Sequence, residues 1–325
     1  MKTHTRLFTH TDLDGTGVVI VAKELFGEDL YWTGHGYNTS LRDIVAYLDT
    51  VDTMTVEERE QVSMLRIVIA DLSFSEKDGS EMAERLDKLN AQDFFEVMFV
   101  DHHETSTWLS KYSWATIDTE NCATRILYDA FITANEPLHE FVMQVDAFDA
   151  WKLTSPYRDA GEALDQLYSF ADANMFMYMY EEAHGDMSKY SMINAVLKAK
   201  LYETVDRAAK SALDFRVEIG ETTLSVGVLF LYMSKWLTYA NFSAVSSILQ
   251  AGYDVLIGVN PATDSVSVRS AAYIDMLPFV EQVGGGGHRQ SCGFPIPPEL
   301  EYASWKTMAT PLLHKLFPGA KISMR

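Results

Sequence analysis

Three hydrophobic runs in the first part of the chain are each followed directly by aspartate or histidine. The runs cover residues 6–9, 65–70 and 94–100. The polar residues that follow them are His10, Asp12, Asp14, Asp71, Asp101, His102 and His103. Short hydrophobic runs of this kind predict buried strands, and reactive groups in an open α/β sheet gather at the carboxyl ends of its strands. We therefore expect these three strand ends to converge on one crevice.

Helical patterns separate the predicted strands. Residues 18–26 are typical of a helix that begins just behind the acidic loop. Residues 76–89 place Met82 and Leu86 on one face, which predicts a helix that crosses from one strand to the next. The alternation of strands and helices predicts a parallel sheet.

The rest of the chain divides into a helical segment and a second α/β unit. Residues from about 160 to 215 show helical stretches and no strand pattern. Beyond them, strands are predicted over 223–231, 253–259 and 265–270, and a helix over 236–249. The sequence therefore predicts an α/β fold in three parts. They are an N-terminal parallel-sheet domain (1–159), a helical connector (160–216) and a smaller C-terminal α/β domain (217–325).

The charge of the chain limits the partners that it can bind. The 46 acidic and 26 basic residues give a formal net charge of -20, and no cluster of lysine and arginine resembles a polynucleotide track. Long duplex nucleic acid is therefore a poor partner. A small anion held by metal ions remains compatible with this charge, because bound ions can outweigh the surrounding field locally.

The cysteines and the N-terminal residues indicate the compartment. Cys122 and Cys292 lie in unrelated contexts without C-x-x-C spacing, which disfavours both a disulfide framework and a structural zinc site. No apolar signal region follows Met1, and no apolar run approaches the length that spans a membrane. We expect a cytoplasmic protein without a membrane partner. The sequence leaves the oligomeric state open, including a homodimer.

Imidazoles and carboxylates dominate the chemistry-bearing residues. The candidate metal ligands are His10, Asp12, Asp14, Asp71, His102, His103, Asp146 and Asp149. Mixed nitrogen and oxygen ligands suit manganese, iron, cobalt or zinc, and manganese is favoured where carboxylates dominate. The number of candidates exceeds the needs of one ion. Two ions require a bridging carboxylate, and Asp71, alone at a central strand end, is placed to bridge.

A structural interpretation competes with metal binding for each residue taken alone. A single aspartate after a strand is more often a helix cap or a turn residue than a ligand. Three strand ends that all supply aspartate or histidine are harder to explain by capping. Asp146 and Asp149 are ambiguous, because they are either an acidic patch at a helix end or the source of one ligand.

A run of four glycines, Gly284–Gly287, precedes His288. Backbone N–H groups without side chains can form an anion nest, in which His288 and the earlier Arg269 serve as cationic or donor partners. The alternatives are a loose loop for the glycines and a pairing of Arg269 with a surface acid. A phosphate site is the interpretation that we favour.

Five motifs in sequence give the chain a resemblance to the DHH-family phosphoesterases, which include RecJ-like exonucleases, nano-RNases and cyclic-dinucleotide phosphodiesterases. The name-giving motif is Asp101-His102-His103. The other segments that resemble family motifs are 10–15, Asp71, Asp146 within 145–149, and 267–270 together with 284–288 in the family's associated C-terminal domain. The resemblance covers nearly the whole chain, and the motifs stand in the expected order.

The resemblance implies two divalent metal ions, for which manganese is the expected identity. One ion would be held by His10, Asp12 and Asp71, and the other by Asp14, Asp71, His102 and Asp146. Asp149 is the alternative to Asp146 as the last ligand. His103 and Asp71 are the implied catalytic residues, because His103 would face the scissile phosphate. We expect Asp101 to orient an imidazole. The implied substrate-binding residues are Arg269, Gly285, Gly286, Gly287 and His288.

The implied activity is a metal-dependent phosphodiesterase that hydrolyses short nucleotide substrates with a metal-activated water. Short oligonucleotides and linear or cyclic dinucleotides are the expected substrates, and the net charge disfavours long strands. Two alternatives remain on the same fold. One is a phosphatase of nucleotide bisphosphates such as pAp, and the other is a non-catalytic protein that binds or sequesters nucleotides.

Overall fold

The computed structural model describes residues 3–132, 136–230, 252–261, 264–300 and 305–325. The chain divides into two compact units, residues 1–189 and 190–325. The helix predicted over 236–249 lies outside the described residues. The helical segment predicted over 160–216 supplies one long helix to each unit.

The first unit contains a five-stranded parallel sheet flanked by helices. Its strands are β1 (Thr3–His10), β2 (Leu30–His35), β3 (Met64–Ala70), β4 (Phe95–Asp101) and β5 (Ala115–Ile117). Its helices are α1 (Leu13–Phe26), α2 (Tyr37–Asp52), α3 (Val56–Arg59), α4 (Glu76–Asn90), α5 (Ala123–Phe131), α6 (Glu136–Asp149) and α7 (Arg158–Ala183). All four neighbouring strand pairs run parallel. The predicted α/β class with a parallel N-terminal sheet is therefore confirmed.

The strand order of this sheet, β2-β1-β3-β4-β5, creates a switch point between β1 and β3. The chain leaves β1 toward β2 on one side of the sheet and continues from β3 toward β5 on the other. A crevice opens at the carboxyl ends of the strands where the order reverses, and ligands bind there in sheets of this type. His10 ends β1, Asp71 follows β3 and Asp101 ends β4.

The two faces of the sheet are covered differently. Phe8, Ile69 and Phe99 belong to a buried cluster that also includes apolar residues of α2 and α4. Residues 18, 19 and 21 of α1 are fully buried valines. Because β3 is buried along nearly its whole length, its sequence is an almost continuous apolar run instead of an alternating one.

The turn from β1 into α1 brings the backbone into close contact with itself. Asp12 caps α1, since its Oδ1 accepts a hydrogen bond from the Gly15 N–H at 2.9 Å. A Cβ atom at Gly15 would lie 2.2 Å from the His10 carbonyl oxygen. Only glycine fits here without a shift of the backbone, and this close contact holds Asp12 and Asp14 beside the end of β1.

The second unit contains a seven-stranded mixed sheet. Its strands are β6 (Leu213–Ile219), β7 (Thr222–Phe230), β8 (Val255–Asn260), β9 (Ser265–Ser270), β10 (Gly286–Gly287), β11 (Ser291–Pro295) and β12 (Lys321–Met324). Its helices are α8 (Ser191–Ser211), α9 (Leu277–Glu281) and α10 (Trp305–Leu316). The strand order is β10-β11-β9-β8-β7-β6-β12. The pair β7–β8 is parallel and the other pairs in this order are antiparallel.

Short 3-10 helices complete the described elements, at Gly27–Asp29, Glu104–Lys111, Met187–Tyr190 and Pro298–Leu300. Among the described residues, we find no helix that combines the length and the apolar character needed to cross a membrane.

We expect Gly15→Ala to lower the free energy of unfolding by about 2–3 kcal/mol, because the added methyl group overlaps the His10 carbonyl. Urea unfolding followed by circular dichroism measures this change. Gly36→Ala is the matched control, since a Cβ atom there would meet nothing within 4 Å. It should cost less than about 1 kcal/mol. Equal effects of the two substitutions would contradict the packing argument.

Candidate metal centre

The crevice of the first unit brings together three groups of side chains that could hold metal ions. Within each group, the candidate ligand atoms lie within 4.8 Å of one another. The groups are His10, Asp12 and Asp71; Asp14, His102 and Asp149; and Asp71, Asp101, His102 and His103. Asp71 and His102 each belong to two of these three groups. The three strand ends predicted from the sequence therefore meet at one place.

Asp71 occupies the centre of this arrangement. Its Oδ1 lies 3.3 Å from His102 Nε2, and its Oδ2 lies 4.0 Å from His10 Nδ1. The residue is 1% exposed, and among the described residues Oδ2 has no hydrogen-bond partner. A buried carboxylate oxygen without a donor is costly, so its position fits a bound cation. Asp71 also has φ 55°, a left-handed conformation that is uncommon for aspartate and concentrates at functional sites.

The acidic side chains of the crevice oppose one another's ionisation. Burial raises the pKa of Asp71 well above its ordinary value, and the Asp12 and Asp14 carboxylates raise it further. Desolvation likewise raises the pKa of Asp149, with Asp14 as the next contributor. Asp149 Oδ2 also has no hydrogen-bond partner among the described residues. Divalent cations would relieve both the repulsion and the missing bonds, so the residues present fit metal ions.

His10 and Asp12 form a short pair at the end of β1. His10 Nδ1 lies 2.6 Å from Asp12 Oδ2. Desolvation alone would raise the pKa of Asp12, but the charge of His10 and the hydrogen bonds from His10 and Gly15 outweigh it and lower that pKa. Asp12 therefore stays ionised, and the charged His10 that lowers its pKa offsets this negative charge.

Asp101 orients one of the two adjacent imidazoles. It is fully buried, and its Oδ1 accepts a hydrogen bond of 2.7 Å from His103 Nδ1. Burial would raise the pKa of Asp101, but the charge and hydrogen bond of His103 outweigh burial and lower it. An ionised Asp101 requires Nδ1–H as the donor, and this fixes the orientation of the His103 ring. The structure thus places Asp101 where the sequence suggested an orienting residue.

Asp14 belongs to the group that contains Asp149, and it also caps a helix. Its two oxygens accept hydrogen bonds of 2.9 Å from the N–H groups of Ala123 and Thr124, at the start of α5. Its Oδ2 lies 3.7 Å from His102 Nε2. The positive end of a helix favours a carboxylate, so α5 stabilises part of the negative charge. Capping and membership of a possible metal group are therefore compatible at this residue.

Asp146 has a different environment from the other acids. Its Oδ1 accepts a hydrogen bond of 3.0 Å from the Cys122 N–H. Its Oδ2 lies 2.8 Å from Arg125 Nη1 and 2.6 Å from Lys152 Nζ. Two cations and an amide therefore satisfy this carboxylate, and Asp146 is in none of the three groups described above. These contacts suit a structural role, and the metal contact predicted for Asp146 from the sequence stays a prediction.

Asp149, the alternative considered from the sequence, lies in the group with Asp14 and His102. Its Oδ2 is 3.4 Å from His102 Nε2. The residues that distinguish the two acids are Lys152, which follows the end of α6, and Arg125, in the first turn of α5. The sequence alone does not show which acid they contact.

The predicted substrate-binding residues lie in the second unit. Arg269 is in β9, where it pairs with Ser291 of β11, and its Nη1 donates to the Val268 carbonyl at 3.0 Å. The glycines form regular structure in place of an open anion nest. Gly286 and Gly287 form β10, which pairs with Gly293 and Cys292 of β11.

Two amides in the segment that is predicted to bind phosphate donate to backbone carbonyls. The Gly285 N–H donates to Val280 at 3.0 Å, and the His288 N–H donates to Ser291 at 2.8 Å. Gly287 has φ 127°, and a Cβ atom there would lie 2.7 Å from the Ser291 carbonyl oxygen. The glycines are therefore explained by a tight turn into a short strand. Phosphate binding by this segment stays a prediction.

Comparisons with known proteins agree with the motifs. No protein-family model matches the chain. The chain is 22% identical over 312 residues to the oligoribonuclease NrnB of Bacillus subtilis, with 90% of this chain and 73% of that protein covered. It is also 22% identical over 330 residues to a 3',5'-cyclic-nucleotide phosphodiesterase of Helicobacter pylori, with 88% and 90% covered.

A solved structure supports the fold. The DHH domain of a protein described as a member of a ribosomal-protein family superposes with a TM-score of 0.65 at 12% identity, over 96% of this chain and 87% of that one. At this identity the likeness concerns the fold alone. Together with the ordered motifs and the relatives described above, it supports the resemblance of the chain to the DHH-family phosphoesterases.

We expect Asp149→Asn to weaken Mn²⁺ binding at least about 10-fold, because it removes a carboxylate oxygen that has no other partner among the described residues. Asp146→Asn should leave Mn²⁺ affinity within about threefold and lower the free energy of unfolding by about 1–2 kcal/mol, since Arg125 and Lys152 lose a shared carboxylate. Titration calorimetry and urea unfolding measure the two effects. The reverse pattern would indicate that Asp146, and not Asp149, is a metal ligand.

Proposed function

We propose that the protein is a metal-dependent phosphodiesterase that hydrolyses short nucleotide substrates, namely short oligonucleotides or linear or cyclic dinucleotides. One observation carries the proposal. Asp71 and His102 each belong to two adjacent groups of candidate ligands, in a crevice where Asp71 and Asp149 have carboxylate oxygens without hydrogen-bond partners among the described residues. This arrangement suits two ions that share a bridging carboxylate, which is the requirement of two-metal hydrolysis.

Two sets of residues would hold the ions. His10, Asp12 and Asp71 form the first set, and Asp14, His102 and Asp149 form the second. Asp71 would join the second set as the bridging carboxylate, because its Oδ1 lies 3.3 Å from His102 Nε2. Manganese is the ion that we propose, because carboxylates outnumber imidazoles in both sets. Divalent ions bound here would lower the pKa of a water and neutralise charge that develops on the phosphoryl oxygens.

The protein's own residues supply orientation and proton transfer. Asp101 fixes the ring of His103 through Nδ1, as the 2.7 Å hydrogen bond indicates. We propose that His103 hydrogen-bonds a phosphoryl oxygen of the substrate or protonates the leaving oxygen, roles that an imidazole fills near neutral pH. Because Asp101 holds the ring, His103 needs no reorganisation when the substrate binds.

Charge and the names of the relatives support a short substrate. A net charge of -20 repels long polyanions, whereas a short substrate presents few phosphates beyond those that metal ions neutralise. The two relatives are named as an oligoribonuclease and a cyclic-nucleotide phosphodiesterase. We propose that the side chains of Arg269 and His288 bind a second phosphate or a terminal nucleotide. In that proposal the Gly285–Gly287 segment positions His288 and contributes few amides of its own.

A substrate screen tests this function. Full-length protein supplied with Mn²⁺ is incubated with linear dinucleotides, cyclic dinucleotides, short RNA, long single-stranded RNA and pAp, and the products are separated by chromatography. We expect dinucleotides or short oligonucleotides to yield mononucleotides, and long strands to react far more slowly. A chelator should stop turnover and added Mn²⁺ should restore it. Asp71→Asn should abolish turnover, because it removes the proposed bridge.

Other outcomes identify the alternatives. Release of inorganic phosphate from pAp, with dinucleotides intact, would make the protein a bisphosphate phosphatase. Tight nucleotide binding without turnover, unchanged in Asp71→Asn, would make it a binding or sequestering protein. Processive degradation of long strands, with dinucleotides intact, would overturn the proposed preference for short substrates.

A further inference from the structure

Arg158, the first residue of α7, is buried against the end of α6. It is 5% exposed, which is unusual for a charged side chain. Its Nη1 donates to the carbonyl oxygens of Ala147 and Phe148, at 3.1 and 2.8 Å. Its guanidinium lies over the rings of Trp151 and Phe148, at 4.5 and 5.0 Å from the ring centroids. The side chain therefore holds the last turn of α6 by hydrogen bonds and by stacking.

That turn carries Asp149 in an unfavourable position. Asp149 is the final residue of α6, and the carboxyl end of a helix repels a negative charge. The chain leaves the helix through Trp151, which has φ 54°, a conformation that disfavours residues other than glycine. Neither feature stabilises this helix end locally, so tertiary contacts are required to keep it in place.

The packing of α7 on α6 provides those contacts. Gly161 lies one turn along α7 from Arg158, and a Cβ atom there would lie 2.2 Å from the Gln144 carbonyl oxygen of α6. The two helices therefore touch through their backbones. Glu162 accepts a hydrogen bond of 3.3 Å from Arg158 Nε, which holds the guanidinium at a second edge. The orientation of Arg158 is thus set from both sides.

We propose that Arg158 is a positioning residue that holds Asp149 toward Asp14 and His102, and so completes the second of the two proposed ion sites. This inference rests on the proposed metal-dependent function. Arg158 acts on the backbone of α6 and touches no proposed ligand in any contact described above. Lysine would keep the charge, but it lacks the planar guanidinium that stacks on Trp151 while it donates to two carbonyls.

The experiment counts bound ions and their affinities in the metal-free full-length chain. Mn²⁺ is titrated by calorimetry, and bound Mn²⁺ is followed by electron paramagnetic resonance. Wild type should bind two ions. Arg158→Lys should weaken one binding event about 10- to 100-fold and leave the other within about threefold. The retained site, formed by His10, Asp12 and Asp71, then serves as internal evidence that the variant is folded.

A matched control separates positioning from the loss of any arginine that is hydrogen-bonded through its guanidinium. Arg85 donates to the carboxylates of Asp49 and Asp52, at 2.8 and 2.6 Å, and belongs to none of the proposed ion sites. Arg85→Lys should leave both Mn²⁺ affinities unchanged. Glu162→Gln removes the hydrogen bond at one edge of Arg158 and should weaken binding of the second ion about 10-fold. This variant tests the role of Arg158 if Arg158→Lys does not fold.

The outcomes distinguish this inference from the proposed function. Wild-type protein that binds no Mn²⁺ and turns over no substrate would remove the metal centre itself. A second outcome is that wild-type protein binds two ions and that folded Arg158→Lys binds them with the same two affinities. This result would overturn the role of Arg158 and leave the proposed function in place. If Arg158→Lys is unfolded, unchanged ion binding in Glu162→Gln would overturn it.

Discussion

The crowding of carboxylates at the end of the parallel sheet is the constraint on which the rest of the first unit depends. Asp12, Asp14, Asp71 and Asp149 approach one another in a crevice where Asp71 is almost fully buried. Repulsion and desolvation disfavour the ionised forms of Asp71 and Asp149, whereas His10 keeps Asp12 ionised. Divalent cations bound in the crevice would offset this cost. The arrangement is therefore understandable as a metal centre and difficult to understand as a structural core.

The acids that we propose as metal ligands and the other acids near the crevice have different surroundings. Asp146 is neutralised by Arg125 and Lys152, so it adds little charge to the crevice. Asp101 accepts a hydrogen bond through Oδ1 from the histidine that it orients. The cationic side chains thus lie one layer outside the proposed ligands, as does Arg158 on the carbonyls of α6. Placed inside the crevice, they would compete with the ions for the same oxygens.

The sequence predicted the sheet and the convergence of the strand ends because buried parallel strands are nearly continuous apolar runs, which end visibly at Asp71 and Asp101. It could not decide between Asp146 and Asp149, since both are acids near one helix end. The distinction depends on Arg125, which is distant in sequence and reaches only one of them. The glycine segment near His288 also depends on tertiary structure, because its pairing with β11 uses amides that sequence alone leaves unassigned.

The choice between two such acids follows from what each gains when an ion arrives. Asp146 already has two cationic partners, so a third cation would add little and would have to displace one of them. Asp71 and Asp149 have oxygens without donors among the described residues, and the cost of desolvating them is met when the chain folds. An ion that binds to these oxygens gains electrostatic interactions, and the carboxylates need no further desolvation. This is the advantage of a preorganised site. The same free energy links metal binding to the stability of the first unit, because an ion that binds the folded state alone stabilises it.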